Sequence, residues 1–135
     1  VVRSCCPRPS CCRTSPSDLT EKGPLDTRGY ESIELVIATG SIADADATFV
    51  VLIEDGDSAT LTDAAAVSDT FLLGTEALAG FQFDDDNECR KIGYVGGKRY
   101  VRATITPASN ASAALFSAVW VLGNARTAPS ANPPA

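Results

Sequence analysis

Histidine and methionine are both absent from this sequence. Without His, the Ser-His-Asp and Cys-His triads, His-ligated zinc and imidazole acid–base chemistry are excluded. Carboxylates and thiols are left to carry any chemistry, and both are clustered. The acidic clusters are Asp44 and Asp46, Glu54-Asp55-Gly56-Asp57, and Asp84-Asp85-Asp86-Asn87-Glu88. Loop carboxylates spaced in this way can offer hard oxygen ligands to Ca²⁺. None follows the EF-hand pattern, because Asp84-x-Asp86-x-Glu88 lacks the glycine and the twelfth-position Glu. Solvated turns are the simpler reading. A glycosidase pair would need two carboxylates held across a cleft, which spacing along a chain does not define.

The cysteines form two vicinal pairs, Cys5-Cys6 and Cys11-Cys12, with Cys89 far downstream. A zinc knuckle would use CxxC spacing and usually some His, and neither is present. Adjacent cysteines rarely bond each other, because the eight-membered ring is strained. Disulfides among Cys5, Cys6, Cys11 and Cys12, within or between chains, are feasible in an oxidising setting; unpaired structural thiols are the alternative. Cys89 falls on an expected strand and reads as a small apolar side chain. Asn110-Ala111-Ser112 matches a glycosylation acceptor, but the N-terminus lacks the apolar core of a secretory signal. The long uncharged stretch from Ile105 to Ala125 is interrupted by Pro107, Ser109, Asn110, Ser112 and Ser117, so no membrane span is expected. No cofactor, no metal and no enzymatic activity are expected.

Charge comes in blocks. Residues 1–28 hold five basic and three acidic groups, residues 29–89 hold fourteen acids and no Lys or Arg, and residues 90–135 hold six bases and no acid. These sum to the net charge of −6, which argues against general nucleic-acid binding. Two arrangements fit the blocks. Acidic strands from the middle can lie beside basic strands from the end and cancel them. Alternatively the molecule is dipolar and docks on a charged partner or on copies of itself.

Proline marks the boundaries of the body that must position these groups. Pro7, Pro9, Pro16 and Pro24 lie in the first 24 residues, and Pro129, Pro133 and Pro134 in the last seven. Residues 1–24 therefore read as an extended arm, 25–126 as one folded domain, and 127–135 as a Pro/Ala-rich tail. Inside the domain the hydrophobic period is two. Ile33, Leu35 and Ile37 share one face of a strand, as do Phe49, Val51 and Ile53 of Thr48–Glu54. Gly40–Ala47 and Asp55–Ser58 read as connections, Ala59–Leu61 as a short strand, and Ala64-Ala65-Ala66 as a helical turn. Phe81–Phe83 is a short alternating run before the acidic loop. Cys89–Val95 and Arg99–Thr106 read as a hairpin closed by Gly96-Gly97, with a positive φ at one of these glycines. Ala113–Leu122 is apolar on both faces and reads as a central strand covered on both sides. Six to eight short strands predict an antiparallel β-sandwich, jelly-roll-like, with almost no helix. Its core is expected to comprise Ile33, Leu35, Ile37, Phe49, Val51, Ile53, Val101, Ile105, Phe116 and Trp120.

Three segments carry a resemblance: Arg28–Ser32, Asp69–Glu76, and above all Asp84–Arg102, with its run IGYVGGKRYVR. In this order, over roughly residues 26–126, they resemble small structural proteins of tailed bacteriophages, β-sandwich decoration (cement) proteins of HK97-type heads. The Cys-rich arm departs from that pattern. The resemblance implies a virion protein at the capsid surface that binds the major capsid protein and neighbouring copies of itself. It implies a homo-oligomer, with a trimer favoured, and no direct contact with nucleic acid or membrane. Candidate partner-binding residues are Arg3, Arg8 and Arg13 of the arm, which would lie along a neighbouring subunit, and Arg99 and Arg102 of the domain. A tail or head–tail joining component is one alternative. The other is a Ca²⁺-dependent carbohydrate-binding sandwich, which would need an exposed Trp or Tyr.

Overall fold

The computed structural model describes residues 23–127, together with the backbone of Val2–Ser4 and Leu19–Thr20. The strands, in chain order, are β1 (Val2–Ser4), β2 (Leu19–Thr20), β3 (Leu25–Asp26), β4 (Ser32–Ile42), β5 (Thr48–Gly56) and β6 (Ala65–Ala66). They continue with β7 (Leu72–Leu73), β8 (Phe81–Gln82), β9 (Cys89–Tyr94), β10 (Tyr100–Ala108) and β11 (Ala114–Gly123). A 3₁₀ turn at Asp69–Phe71 precedes β7, and one short helix, α1 (Glu76–Ala79), precedes β8. Sheet A has the order β1-β11-β4-β9-β7. Sheet B has the order β2-β10-β5-β6, with β3 also on β10 and β8 also on β5. Every pairing is antiparallel, and the protein is an all-β sandwich.

Alternation builds the core. Leu35 and Ile37 of β4, Ile92 and Tyr94 of β9, and Trp120 of β11 face inward from sheet A. Phe49, Val51 and Ile53 of β5 and Val101, Ala103 and Ile105 of β10 meet them from sheet B. Of the core residues expected from the period-two pattern, all are buried except Phe116, which packs partly buried against the cluster. Phe116 lies edge-on to Phe49 and Phe81, at 5.5 and 5.2 Å, while those two rings stack at 4.6 Å. Such offset and edge contacts add to area burial, because each ring edge meets a partner's negative face.

Several local expectations fail, each for a non-local reason. β4 continues through Gly40 to Ile42, where a connection was expected. Its register against β11 shifts between Ala114 and Phe116, so that Gly40 and Ser41 bulge opposite Leu115. A Cβ at Gly40 would lie 3.2 Å from that of Leu115, a tight contact that a larger residue could take only if Leu115 gave way by a few tenths of an ångström. Likewise β5 runs on through Asp55 and Gly56. Ala59–Leu61 is turn, not strand, and Leu61 has φ +50°. Ala65–Ala66 is the edge strand β6, not a helical turn, because it pairs with Glu54 and Asp55 of β5. The helix lies at Glu76–Ala79 instead, where Thr75 Oγ1 accepts the Leu78 N–H.

The expected hairpin at Gly96-Gly97 is absent. β9 pairs with β4 and β7 in sheet A, whereas β10 pairs with β2, β3 and β5 in sheet B. Residues 95–99 are therefore an arch between sheets, and neither glycine has positive φ. Val95 N–H donates to Phe71 O and Lys98 N–H to the Tyr94 hydroxyl, so the loop is shaped by sheet A and by Tyr94. The described pieces of the arm also depart from expectation. β1 pairs with β11 and β2 with β10, so both pair with strands of the chain's own domain.

Candidate functional site

The charge blocks meet in space. All six basic residues after position 89 contact acids from the first 88 residues. Arg102 lies directly opposite Glu54 across β10 and β5 and pairs with it at 2.6 Å. Arg99 forks onto both oxygens of Asp26, at 3.1 and 2.8 Å, and lies 4.9 Å over the Tyr100 ring. The Arg99 hydrogen bond holds the Asp26 carboxyl below its usual range, and Asp26 in turn raises Arg99. Lys98 pairs with Asp57, which raises the ammonium above its ordinary value. Arg90 contacts Asp85 at 2.5 Å and Glu88 at 3.1 Å, Lys91 contacts Glu34 at 3.0 Å, and Arg126 contacts Glu31 at 3.4 Å. Cancellation by neighbouring strands is thus the arrangement found. Arg99 and Arg102, expected as partner-binding residues, are engaged within the domain. The side chains of Arg3, Arg8 and Arg13, and Cys5, Cys6, Cys11 and Cys12 entirely, lie outside the described residues.

The acidic loops are used to satisfy backbone. Asp86 Oδ1 accepts from Ile42 N–H at 2.8 Å, and Asp85 Oδ2 from Gln82 N–H at 2.8 Å. Asp44 Oδ2 accepts from Ala111 and Ser112, and Asp63 from Asp57 and Ser58. These N–H donors favour the charged form, so the Asp44 and Asp63 carboxyls lie below their usual range, held chiefly by Ala111 and Asp57 respectively. Among the described residues no three His, Cys, Asp or Glu side chains are grouped to hold a metal ion. Cys89 is exposed at the start of β9, a correction to its reading as an apolar filler. The Asn110 amide of the glycosylation match is buried, with no hydrogen-bond partner.

Two open clefts of about 570 and 540 Å³ indent the surface. The first lies beside β5, between its pairings with β8 and β6. Its Glu76 accepts the Ile53 N–H at 2.5 Å, and its Arg90 donates to the carbonyls of Gly80 and Leu78. The second is lined by Asp55, Asp57, Lys98 and Phe71. Asp55 accepts from the Tyr94 hydroxyl, and Asp57 pairs with Lys98. In both clefts these polar groups serve the fold, and no nucleophile faces a base.

The outer face of sheet A is different. Registers align Val121, Glu34, Gly93 and Leu73 in one row across β11, β4, β9 and β7. Val119, Val36 and Lys91 form the next row, and Ser117, Ala38 and Cys89 the third. Leu115 sits over the Gly40 bulge beyond them. Leu73 is 66%, Leu115 47% and Val121 38% exposed. Among the described residues, the inner face of β11 is buried and its outer face carries no covering layer, which departs from the expectation that β11 is covered on both sides. Among the described residues of these rows the only charges are Glu34 and Lys91, paired with each other. Composition could flag β11 as doubly apolar but could not say which face would lack a cover.

Comparison with family models, with curated proteins and with solved structures finds no match for this chain.

Proposed function

We propose that this chain is a non-catalytic virion structural protein, a decoration (cement) protein on the head of a tailed bacteriophage. The observation that supports this reading best is the outer face of sheet A, a nearly uncharged sheet surface on a domain whose basic residues after position 89 are all paired with acids. A sheet face with few charges and exposed apolar side chains such as Leu73, Leu115 and Val121 suits protein contact. The resemblance of Asp84–Arg102 to phage structural proteins supplies the class of assembly. In this reading the protein works by burying area against head-shell subunits and neighbouring copies, so that its binding free energy adds to particle stability. Arg8 and Arg13 of the arm are the proposed electrostatic contacts to the major capsid protein, since Arg3 lies on β1 against β11 and Arg99 and Arg102 are paired at home. The carbohydrate-binding alternative loses support, because Trp120 is only 4% exposed.

The test is a cryo-EM map and quantitative mass spectrometry of particles whose genome encodes this chain. Hundreds of copies distributed over the shell are the expected result. A handful to a few tens at one vertex or along the tail would assign the chain to joining or tail structure. Absence from purified particles would overturn the virion reading altogether.

A further inference from the structure

We propose that the outer face of sheet A docks a second copy of this chain, with a two-fold axis passing beside the Glu34–Lys91 pair. The proposal rests on the reading of this face as a contact surface and names its partner. A chain of net charge −6 repels its own copies, so any face on which two copies meet must be locally neutral. Within the described rows of sheet A that condition holds, with one carboxylate and one ammonium in an otherwise uncharged field.

The position of these two charges makes the face self-complementary. Glu34 is in the row of Gly93 and Lys91 in the row of Val36, one step diagonally across β4 and β9. A two-fold axis lying between the facing sheets and midway between these residues places Glu34 of one copy opposite Lys91 of the other, and the reverse. Such an isologous contact repeats each pairing twice and closes on itself. The Lys91 side chain is 71% exposed, so its ammonium can reach across without unfolding anything. Around the pair, Val119, Val121, Leu73 and Leu115 supply the apolar contact. The four strands, of ten, eleven, six and two residues, at about 4.8 Å spacing span roughly 470 Å² per copy, the size of a weak, reversible contact. Facing sheets pack about 10 Å apart, as the two sheets of a single sandwich do. This geometry produces a dimer, in place of the three-fold association that the phage resemblance favoured.

Sedimentation equilibrium of the full-length chain over a wide concentration series tests the proposal. The wild type should rise from 14.0 kDa toward twice that mass, with micromolar affinity. Glu34→Lys places two ammonium groups on each face and should weaken association by about tenfold or more. The charge swap Glu34→Lys/Lys91→Glu restores one charge of each sign and should return association to near wild type. Both positions project into solvent, and near-UV circular dichroism checks that each variant retains its fold. A wild type that stays monomeric overturns the proposal, as does Glu34→Lys associating like wild type or a charge swap that fails to rescue. A monomer whose outer sheet A face is protected in cross-linking footprints also overturns it, because that result places the chain's own residues on the face. Dimerisation in solution by a chain absent from particles would sink the virion reading alone. A monomer that nevertheless decorates particles would sink the dimer alone.

Discussion

The hydroxyl of Tyr94 donates a 2.7 Å hydrogen bond to Oδ2 of Asp55, and so ties β9 of sheet A to β5 of sheet B. The same oxygen accepts the Lys98 N–H at 3.1 Å, which draws the arch of residues 95–99 onto the clasp. Tyr94→Phe keeps the ring and removes both bonds, leaving a carboxylate and an amide without their partner. The expected loss is about 1–3 kcal/mol by urea unfolding. Asp55→Asn retains an acceptor and should lose less. Equal stabilities for wild type and Tyr94→Phe would mean that water replaces the clasp at no net cost.

Stability should fall on both sides of neutrality. The carboxyls of Asp26, Asp44 and Asp63 are held below their ordinary range by Arg99, Ala111 and Asp57 respectively. Their contribution is present above the unfolded value, about 4, and is lost as pH falls through the lower folded values. Tyr94 shifts the other way, raised first by burial and then by its bond to Asp55. A raised folded value means stability that is intact below about pH 10 and declines as pH climbs beyond it. Thermal unfolding scanned against pH should show both limbs. The phenolate absorbance of one tyrosine should appear only as the protein unfolds, and Tyr94→Phe should flatten the alkaline limb.

Gly96 and Gly97 separate two reasons for a glycine. A Cβ at Gly96 would sit inside van der Waals contact of the Tyr94 ring, whereas one at Gly97 would meet nothing within 4 Å. Gly97→Ala should be neutral or stabilise by about 0.4–1 kcal/mol, by narrowing the unfolded ensemble. Gly96→Ala should destabilise and, by displacing the ring, lose the Tyr94–Asp55 coupling in a double-mutant cycle. Similar melting temperatures for the two variants would show that the ring moves aside freely.

The long strands were legible because one face of each is buried: Ile33, Leu35 and Ile37, or Phe49, Val51 and Ile53, must alternate with exposed neighbours. The Gly96-Gly97 arch was misread because turn chemistry is local, while the choice of sheet for β10 depends on β5 and β3, far away in sequence. β6 and β7 escaped notice because two residues carry no period, and Ala65–Ala66 is strand only by virtue of Glu54 and Asp55. The charge blocks announced that acids and bases would meet, but the particular pairs, such as Arg102 with Glu54, follow from register. The contact face was half visible. β11 read as doubly apolar, and only the sheet order shows that, among the described residues, no layer lies over its outer side.

Aromatic truncations should rank by depth. Trp120 of β11 is buried in the core between the sheets, and Trp120→Ala should cost about 3–5 kcal/mol. Phe116 is only partly buried, beside Phe49 and Phe81, so Phe116→Ala should cost clearly less. Denaturant midpoints of the two variants decide the order. A larger loss at Phe116 would place the mechanical centre of the fold in the three-ring cluster.

The two short strands near the N-terminus lie at sheet borders. β1 lines part of β11, and β2 with β3 lines part of β10, each of which would otherwise show an open row of peptide N–H and C=O groups. Such rows are templates for unlimited strand addition, and β11, with apolar side chains on both faces, is well suited to it. By occupying part of these rows, the short segments shorten the edge left open to strand addition, so their removal should make the chain more prone to fibrils.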